Sequence, residues 1–498
     1  MKKSFSNRLP GLLITILLTV AVTLFMAILI KTKLLPAKLL LLAGGIFLLI
    51  VFIVCLLTRD ATRTGSIITG SILTMVLLIV LMVGTPYLTK AVNMLSNMTG
   101  TNVEVTDVGI YVKTDSSLQQ LSELSGKNVG IMEVLDRENT DKAVEGIQAE
   151  VGTLNVVTFT GLTEVVDGLL QGQADAIVLN NAYLDILTEM EGYQNVLDQM
   201  REIHTQKTET IIESVQEETK DGWNIMDLFG GNEKEEEQKV QDRVFTMYIS
   251  GIDNRGGLIA KSRSDVNILA TVNVDTRQVL LTSTPRDFYV PLPISGGQPD
   301  KLTHAGIYGV DVSIGTLEML YGIDIDYYFR VNFSGFENII DALGGVTVHS
   351  DYAFSTKTHT FKEGENHLNG AAALSFARER YAFKEGDRQR GENQMAVIKA
   401  VINKAMSPAI LSNYSELMES VAGNFETSMP YDMIADLVRD MLDKGGSWNI
   451  VSCSVNGTGD MRVPYSMSQT AYVMIPDQST VDAAVAKMNQ VYNGEILG

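Results

Sequence analysis

The 498-residue chain contains two cysteines, Cys55 and Cys453, and five histidines. Cys55 lies inside an apolar run of membrane length, so the two thiols do not pair and no disulfide framework exists. The histidines are scattered, with no HExxH pair and no Cys/His ligand spacing, which argues against a zinc site. Positive charge is scarce. Lys and Arg number 39 against 59 Asp and Glu, a net charge of −20. That balance excludes general nucleic-acid binding, because phosphate backbones attract basic surfaces. Internal repeats are absent, as is any helix-turn-helix on a basic surface. The length exceeds one ordinary soluble domain, so two or three units are expected.

Charge is missing altogether from Gly11 to Ile30 and from Leu39 to Thr58, and a third such run, cored by Ile67 to Val83, lies between Arg63 and Lys90. Each approaches the ~20 residues that span a bilayer. The first is not a cleavable signal peptide, since it is long and two more spans follow closely. Residues 1–90 are therefore expected to be a membrane region with helices at about 11–30, 38–58 and 65–87. Three spans put the N-terminus and the large C-terminal part on opposite sides. Lys2, Lys3, Arg8, Arg59 and Arg63 outnumber Lys31, Lys33, Lys38 and Lys90. That bias favours an N-terminus inside the cell and an extracytoplasmic C-terminal region.

Residues 91–205 alternate short β-rich runs with amphipathic stretches, as in Val108–Val112, Thr140–Glu150, Asn155–Phe159 and Leu162–Gln171. The pattern predicts a small parallel α/β accessory domain. LSGKNVGIM and TEVVDGLLQGQADAIVLNN within it resemble one lobe of an extracellular solute-binding protein. A single lobe lacks half of the usual cleft, which favours a scaffold or docking module over a ligand site. Glu202 to Arg243 is charge-rich and reads as a helix running into a tether, with 206–243 as the linker.

Residues 244–408 carry the chemistry. VFTMYISGID reads as a strand ending at Asp253, and SDVNILATVNVDTRQVLLTSTPRD as two strands ending at Arg286. The expected result is a mixed sheet with helices on both faces. Between Phe376 and Gln394 lie Arg378, Arg380, Asp387, Arg388, Arg390 and Gln394, a basic cluster in an acidic chain. Arg378 and Arg380 share one face of a strand, and Asp387, Arg390 and Gln394 share one face of a helix. Met395, Ile398, Val401 and Ile402 form the apolar stripe that holds this helix down. Guanidiniums make planar, paired hydrogen bonds to phosphate oxygens, so the cluster predicts a pyrophosphate cradle. A prenyl tail beside it needs an apolar tunnel, for which 307–320 and 336–343 are the candidate linings. Residues 409–498 read as a helix-rich extension with a closing strand and helix.

Ile252-Asp253-Asn254-Arg255, Ser262-Arg-Ser264-Asp265, Ser283-Thr-Pro285-Arg286-Asp287, Lys301-Leu-Thr303-His304-Ala305, Arg378-x-Arg380 and Asp387-x-x-Arg390-x-x-x-Gln394 follow one another in order. Together with Asp-Ala-Leu-Gly-Gly at 341–345 they resemble the ordered motifs of the LytR-CpsA-Psr family, and the spans and α/β unit resemble its CpsA-like, capsule-associated branch. The resemblance implies an α-β-α catalytic domain. It also implies a Mg²⁺-dependent phosphotransferase, with Mn²⁺ as the alternative metal. Such an enzyme moves a glycopolymer, capsular or teichoic-acid-like, from a polyprenyl-pyrophosphate carrier to a peptidoglycan sugar hydroxyl. Membrane lipid and capsule-assembly proteins are the further partners it implies.

By the same resemblance Arg286, Lys301, Arg378, Arg380, Arg390 and Gln394 hold the pyrophosphate, Asp253 and Asp265 the metal, and Asp387 belongs to the catalytic set with Arg286, Arg378 and Arg380. Physically, displacement at a pyrophosphate needs charge neutralisation more than covalent help. Two other readings stay open: an extracellular sensor or regulator of envelope synthesis, and a hydrolase of the polyprenyl-pyrophosphate link.

Overall fold

The computed structural model describes residues 9–59, 64–98, 103–212, 243–252, 261–384, 386–406, 425–445 and 447–498. Three apolar helices open the chain: α1 (Leu9–Lys31), α2 (Ala37–Thr58) and α3 (Thr64–Met98). Gly11–Lys31, Ala37–Thr58 and Thr64–Pro86 are each long and apolar enough to cross a membrane. They pack through Leu18, Val22, Val54 and Leu81.

The accessory unit is a five-stranded sheet of β1 (Val103–Lys113), β2 (Asn128–Met132), β3 (Asn155–Phe159), β4 (Ala176–Asn180) and β5 (Met200–Ile211), in the order β3-β2-β4-β1-β5. Helices α4 (Arg137–Val151), α5 (Leu162–Leu170) and α6 (Tyr183–Glu189) pack on it. Only β3, β2 and β4 run parallel; β1 pairs antiparallel with both β4 and β5. The expectation of an all-parallel sheet is thereby corrected. The expected helix after Glu202 is corrected too, because Gln206–Ile211 is the second half of β5 rather than the start of a tether. An edge strand is the place where charged and polar residues blunt further pairing, so its composition disguised it. The aromatic patch Trp223 to Phe229 and the rest of the charged stretch lie outside the described residues.

The C-terminal region is built on a six-stranded mixed sheet. Its strands are β6 (Val244–Ile252), β7 (Ser264–Asn273), β8 (Gln278–Ser283), β9 (Tyr327–Asn332), β10 (Phe425–Thr427) and β11 (Asn449–Ser454), ordered β10-β9-β6-β7-β8-β11. β6 runs parallel to β9 and β8 to β11; the other neighbours are antiparallel. Strand alternation sends Tyr248, Leu269 and Leu280 to one face, under α8 (Val310–Tyr321) and α13 (Gln478–Tyr492). Ile268, Ala270 and Leu281 go to the other face, under Met395 and Ile398 of α11 (Gly386–Ala405). The helices α9 (Phe333–Ala342) and α10 (Gly370–Arg378) share a core with α11 through Ile340, Phe376 and Val397. The run from Leu302 to Tyr321 forms two helices, α7 (Leu302–Tyr308) and α8, broken at Gly309, whose φ of 124° suits glycine.

Two interfaces tie these parts together. The accessory lobe shares a core with the C-terminal region, where Tyr183, Ile186 and Leu187 pack with Ile307 and Met467, and Tyr308 and Tyr465 close the edge. Between the same two parts, Arg330 of β9 donates through Nε to Glu426 Oε2 at 2.8 Å and through Nη1 to Glu104 of the lobe. All three side chains are buried. Burial alone would lower the Arg330 pKa, but the two carboxylates outweigh it and hold the guanidinium charged.

The second interface joins the membrane region to α12 (Tyr431–Lys444). Lys33, between α1 and α2, and Lys38, in the first turn of α2, pair with Asp432 and Asp443 at 2.7 and 2.8 Å. Tyr431 donates to the Thr32 carbonyl at 2.7 Å, and Leu34 packs on Ala435. Exposed ion pairs of this kind add little stability. Their value is positional: the loop between the first two spans stands on the same side of the helices as the C-terminal region.

Candidate active site

A cavity of about 1480 Å³ lies between the sheet and helices α9, α10 and α11. Small-molecule sites usually enclose ~300–1,000 Å³, so this one suits something larger. Its wall grades from polar to apolar in one direction. The lining runs from Gly251 to Phe245 on β6, from Asp265 to Val272 on β7, and from Arg390 and Gln394 to Ile402 and Ala405 on α11. At ~3.3 Å per strand residue and ~1.5 Å per helical residue, the β7 and α11 stretches each cover roughly 23 Å. The apolar end is closed by Met406, Met429 and Leu437, the last on α12. Of the two segments expected to line a tunnel, Phe336, Ile339 and Ile340 do so. Helix α8 instead fills the core on the opposite face through Val310, Ile314 and Leu317.

The polar end gathers most of the expected residues. The β6–β7 register shifts between Gly251 and Ile252, which leaves Asp265 as the unpaired residue of a bulge. A bulge re-aims a side chain, and here Asp265 meets Arg286 beyond β8. Arg286 Nη1 donates to Asp265 Oδ1 at 2.8 Å, and its Nε stands 3.8 Å from Asp287 Oδ2. Thr303 adds a 3.4 Å bond to the same Oδ1. Arg378 and Arg380 line the cavity, but not from a strand: Arg378 is the last residue of α10, and Glu379 begins the extended exit. The expected strand gave way because Asn369 caps α10, accepting from Ala372 N at 2.9 Å, and the Ala-Ala-Ala run carries the helix on.

Arg378 lies over the Phe333 ring at 4.1 Å, and Arg380 over Tyr381 at 4.8 Å while donating to its hydroxyl at 2.7 Å. That hydrogen bond lowers the Tyr381 pKa. Glu379 Oε1 accepts from the Tyr381 and Ala382 amides at 2.7 and 2.9 Å and tightens the turn. Asn393 of α11 donates to the Phe376 carbonyl at 3.2 Å, which ties α11 to the end of α10. Arg390 and Gln394, on α11, also line the cavity.

Three expected residues stand apart. Asp253 lies outside the described residues, as does the side chain of Asp387, whose backbone is in the first turn of α11. Lys301 is not on the cavity wall. It is 9% exposed and sits behind the wall, 3.7 Å from Asp287 and 3.8 Å from Glu189. Among the lining residues that were not expected, Arg263 and Glu189 stand beside Asp265 and Arg286. Arg263 was legible within Ser-Arg-Ser-Asp. Glu189 had no sequence signal, because it belongs to the other lobe.

The wall therefore holds five arginines, 263, 286, 378, 380 and 390, in a chain of net charge −20. Planar guanidiniums around a bulged carboxylate are a donor set for phosphate oxygens. Among the described residues no group of three or more His, Cys, Asp or Glu forms a metal site. Asp265 meets Arg286 and Thr303 through Oδ1, which leaves Oδ2 for a cation. One carboxylate completed by phosphate oxygens and waters is a set that Mg²⁺ accepts.

The LytR_cpsA_psr family model matches residues 204–490. A second model, described as DNA polymerase processivity factor, matches 65–179, a stretch that joins the third apolar helix to most of the accessory lobe and carries no functional argument. The polyisoprenyl-teichoic acid–peptidoglycan teichoic acid transferase TagU of Bacillus cereus is 33% identical over 253 residues, which are 50% of this chain and 79% of that protein. TagU of Bacillus subtilis is 34% identical over 216 residues, 43% of this chain and 69% of that one. The crystal structure of B. subtilis TagV aligns with a TM-score of 0.43 and 27% identity over 51% of this chain and 98% of that one.

Proposed function

This chain belongs to the LytR-CpsA-Psr family, and from that premise we propose that it is a membrane-anchored phosphotransferase. It takes a glycopolymer from a polyprenyl-pyrophosphate carrier and joins it to a peptidoglycan sugar hydroxyl. The observation that carries this reading is the graded cavity: a wall roughly 23 Å long with arginines 286, 378, 380 and 390 at one end and apolar side chains at the other. A carrier has the same two halves, a dense anion and a long hydrocarbon.

In the reaction the acceptor oxygen forms a bond to the sugar-side phosphorus. The bridging phosphorus–oxygen bond breaks, and polyprenyl phosphate leaves. The guanidiniums neutralise charge that grows on the phosphoryl and leaving oxygens. The acceptor proton goes to a site carboxylate, for which Asp387 remains our candidate by its place in the motif. Asp265, with Asp253 as its motif partner, would hold Mg²⁺ or Mn²⁺, which supplies Lewis-acid polarisation of the phosphate. Lys301 supports the cradle from behind through Asp287 and Glu189.

The C-terminal region is extracytoplasmic in this reading. The Lys33–Asp432 contact supports a three-span topology with the first loop on that same side. The sensor alternative is disfavoured by the packing of Ile307 and Met467 into the lobe's core beside Tyr183.

The test uses the detergent-solubilised full chain with Mg²⁺, a polyprenyl-pyrophosphate oligosaccharide and short peptidoglycan chains. Mass spectrometry should find a phosphodiester-linked product. Free sugar phosphate without linkage would make the protein a hydrolase, and no turnover despite carrier binding would end the transferase reading. Ala270→Phe, which projects a ring into the apolar wall, should raise KM about tenfold for a long-tailed carrier and leave a short-tailed one unchanged. Equal KM values for both carriers in this variant would detach the cavity from the tail.

A glycine supplies a second check. A Cβ on Gly386 would meet the Arg380 carbonyl oxygen at 2.3 Å. Gly386→Ala should displace Arg380 and lower kcat at least tenfold, since small misplacements of positioning groups cost that much. Wild-type kcat in this variant would remove Arg380 from the reaction.

A further inference from the structure

We propose that the accessory lobe is part of the active site, through Glu189, whose carboxylate serves as the cradle's built-in counter-anion. The inference rests on the reading of the cavity as a pyrophosphate site. Glu189 ends α6 of the lobe, yet it lines the cavity beside Arg263, Asp265 and Arg286. Its Oε1 takes a hydrogen bond from Arg263 Nη1, and its Oε2 stands 3.8 Å from Lys301 Nζ. Asp185, one turn earlier on α6, stands 3.3 Å from Arg263 Nη2. Burial pushes the Glu189 carboxyl up, but Arg263 and Lys301 outweigh it and hold it below the usual carboxylate range. It is therefore a fixed negative charge at neutral pH, on the wall where an anionic substrate must bind.

Two consequences follow from Coulomb's law. Glu189 neutralises and positions Arg263, and it shares Lys301 with Asp287, whose Oδ1 stands 3.7 Å from the same Nζ. The same charge repels a bound phosphate, which weakens ground-state binding and speeds departure of the anionic polyprenyl phosphate. A carboxylate whose only role was to dock the lobe would not have the second effect. Docking has its own contacts away from the cavity, such as Gln469 Nε2 donating to the Glu191 carbonyl at 3.2 Å.

The experiment measures binding of inorganic pyrophosphate to the full chain by calorimetry, together with carrier turnover. Glu189→Gln keeps an acceptor for Arg263 and removes only the charge. It should bind pyrophosphate about tenfold more tightly and show a lower KM and a lower kcat for the carrier. Glu191→Gln removes the same formal charge two residues away and should match wild type. An unchanged or weaker affinity in Glu189→Gln, or equal tightening in Glu191→Gln, overturns the proposal. Because pyrophosphate binding needs no transfer, a wild-type protein that binds it without turning over the carrier refutes the transferase reading and leaves this test intact.

Discussion

Arg286→Ala should lower transfer by about 10²–10³-fold, the usual loss when one fixed donor to a developing oxyanion is removed. Arg286 is at the centre of the polar end, 19% exposed and held from two sides by Asp265 and Asp287. Its removal subtracts a positive charge where the pyrophosphate is placed, and it leaves Asp265 facing that phosphate without its partner. The loss should fall mainly on kcat, because the remaining arginines still bind the ground state while the leaving oxygen goes unneutralised. Arg286→Lys keeps the charge but not the planar fork, so it should recover only part of the rate. Initial rates by mass spectrometry, with melting curves to check the fold, decide the matter. An alanine variant within fivefold of wild type, equally folded, would take Arg286 out of the mechanism.

Arg330→Ala should destabilise the chain by about 3–5 kcal/mol, the cost of leaving buried charge uncompensated. Glu104 and Glu426 would then face each other without the cation that joins the lobe to β9. The loss depends on pH with a definite sign. Burial already holds the Glu426 pKa above its usual value, with Arg330 pulling the other way. Without Arg330 the Glu426 carboxyl binds its proton still more tightly folded than unfolded. The variant's deficit is therefore smallest at low pH and grows as pH rises through the raised folded-state value of Glu426. Glu104→Gln/Arg330→Met/Glu426→Gln should restore most of the stability, because buried ion clusters are often replaceable by neutral packing. Denaturant titrations at pH 5 and pH 8 would show it. A deficit under 1 kcal/mol at both pH values would mean that the lobe is held by its apolar core alone.

Much of this was readable from the chain. The uncharged runs gave the spans, and the alternation of β6 to β8 gave the sheet, because buried strands must be apolar whichever neighbours they find. The cluster from Arg378 to Gln394 was legible because arginines in an acidic chain need a reason. The failures have physical causes. β5 is an edge strand whose polar residues resemble a tether. Arg378 ends a helix because the cap at Asn369 and the alanines outweigh the two-residue spacing of the arginines. The apolar stripe on α11 served two uses that look alike in sequence: Met395 fills the core, whereas Ile398 and Ile402 also line the cavity. Arg330 hides in a strand of aromatics, and its partners lie in segments far apart in the chain. Glu189 was invisible for the same reason. Contacts between distant segments leave no local pattern.

In the proposed reaction the tie between α12 and the loop joining α1 to α2 sets where the donor is met. Leu437 of α12 closes the apolar end of the cavity, so that end is the one tied to the three apolar helices. A carrier that never leaves the bilayer is then captured by lateral diffusion. Its relevant concentration is a number per unit of membrane area rather than per volume of solution. Turnover in vesicles should follow the surface density of the carrier and ignore the total amount of lipid added at constant density. In that reading the protein works as a surface reactor that takes its donor from a two-dimensional phase.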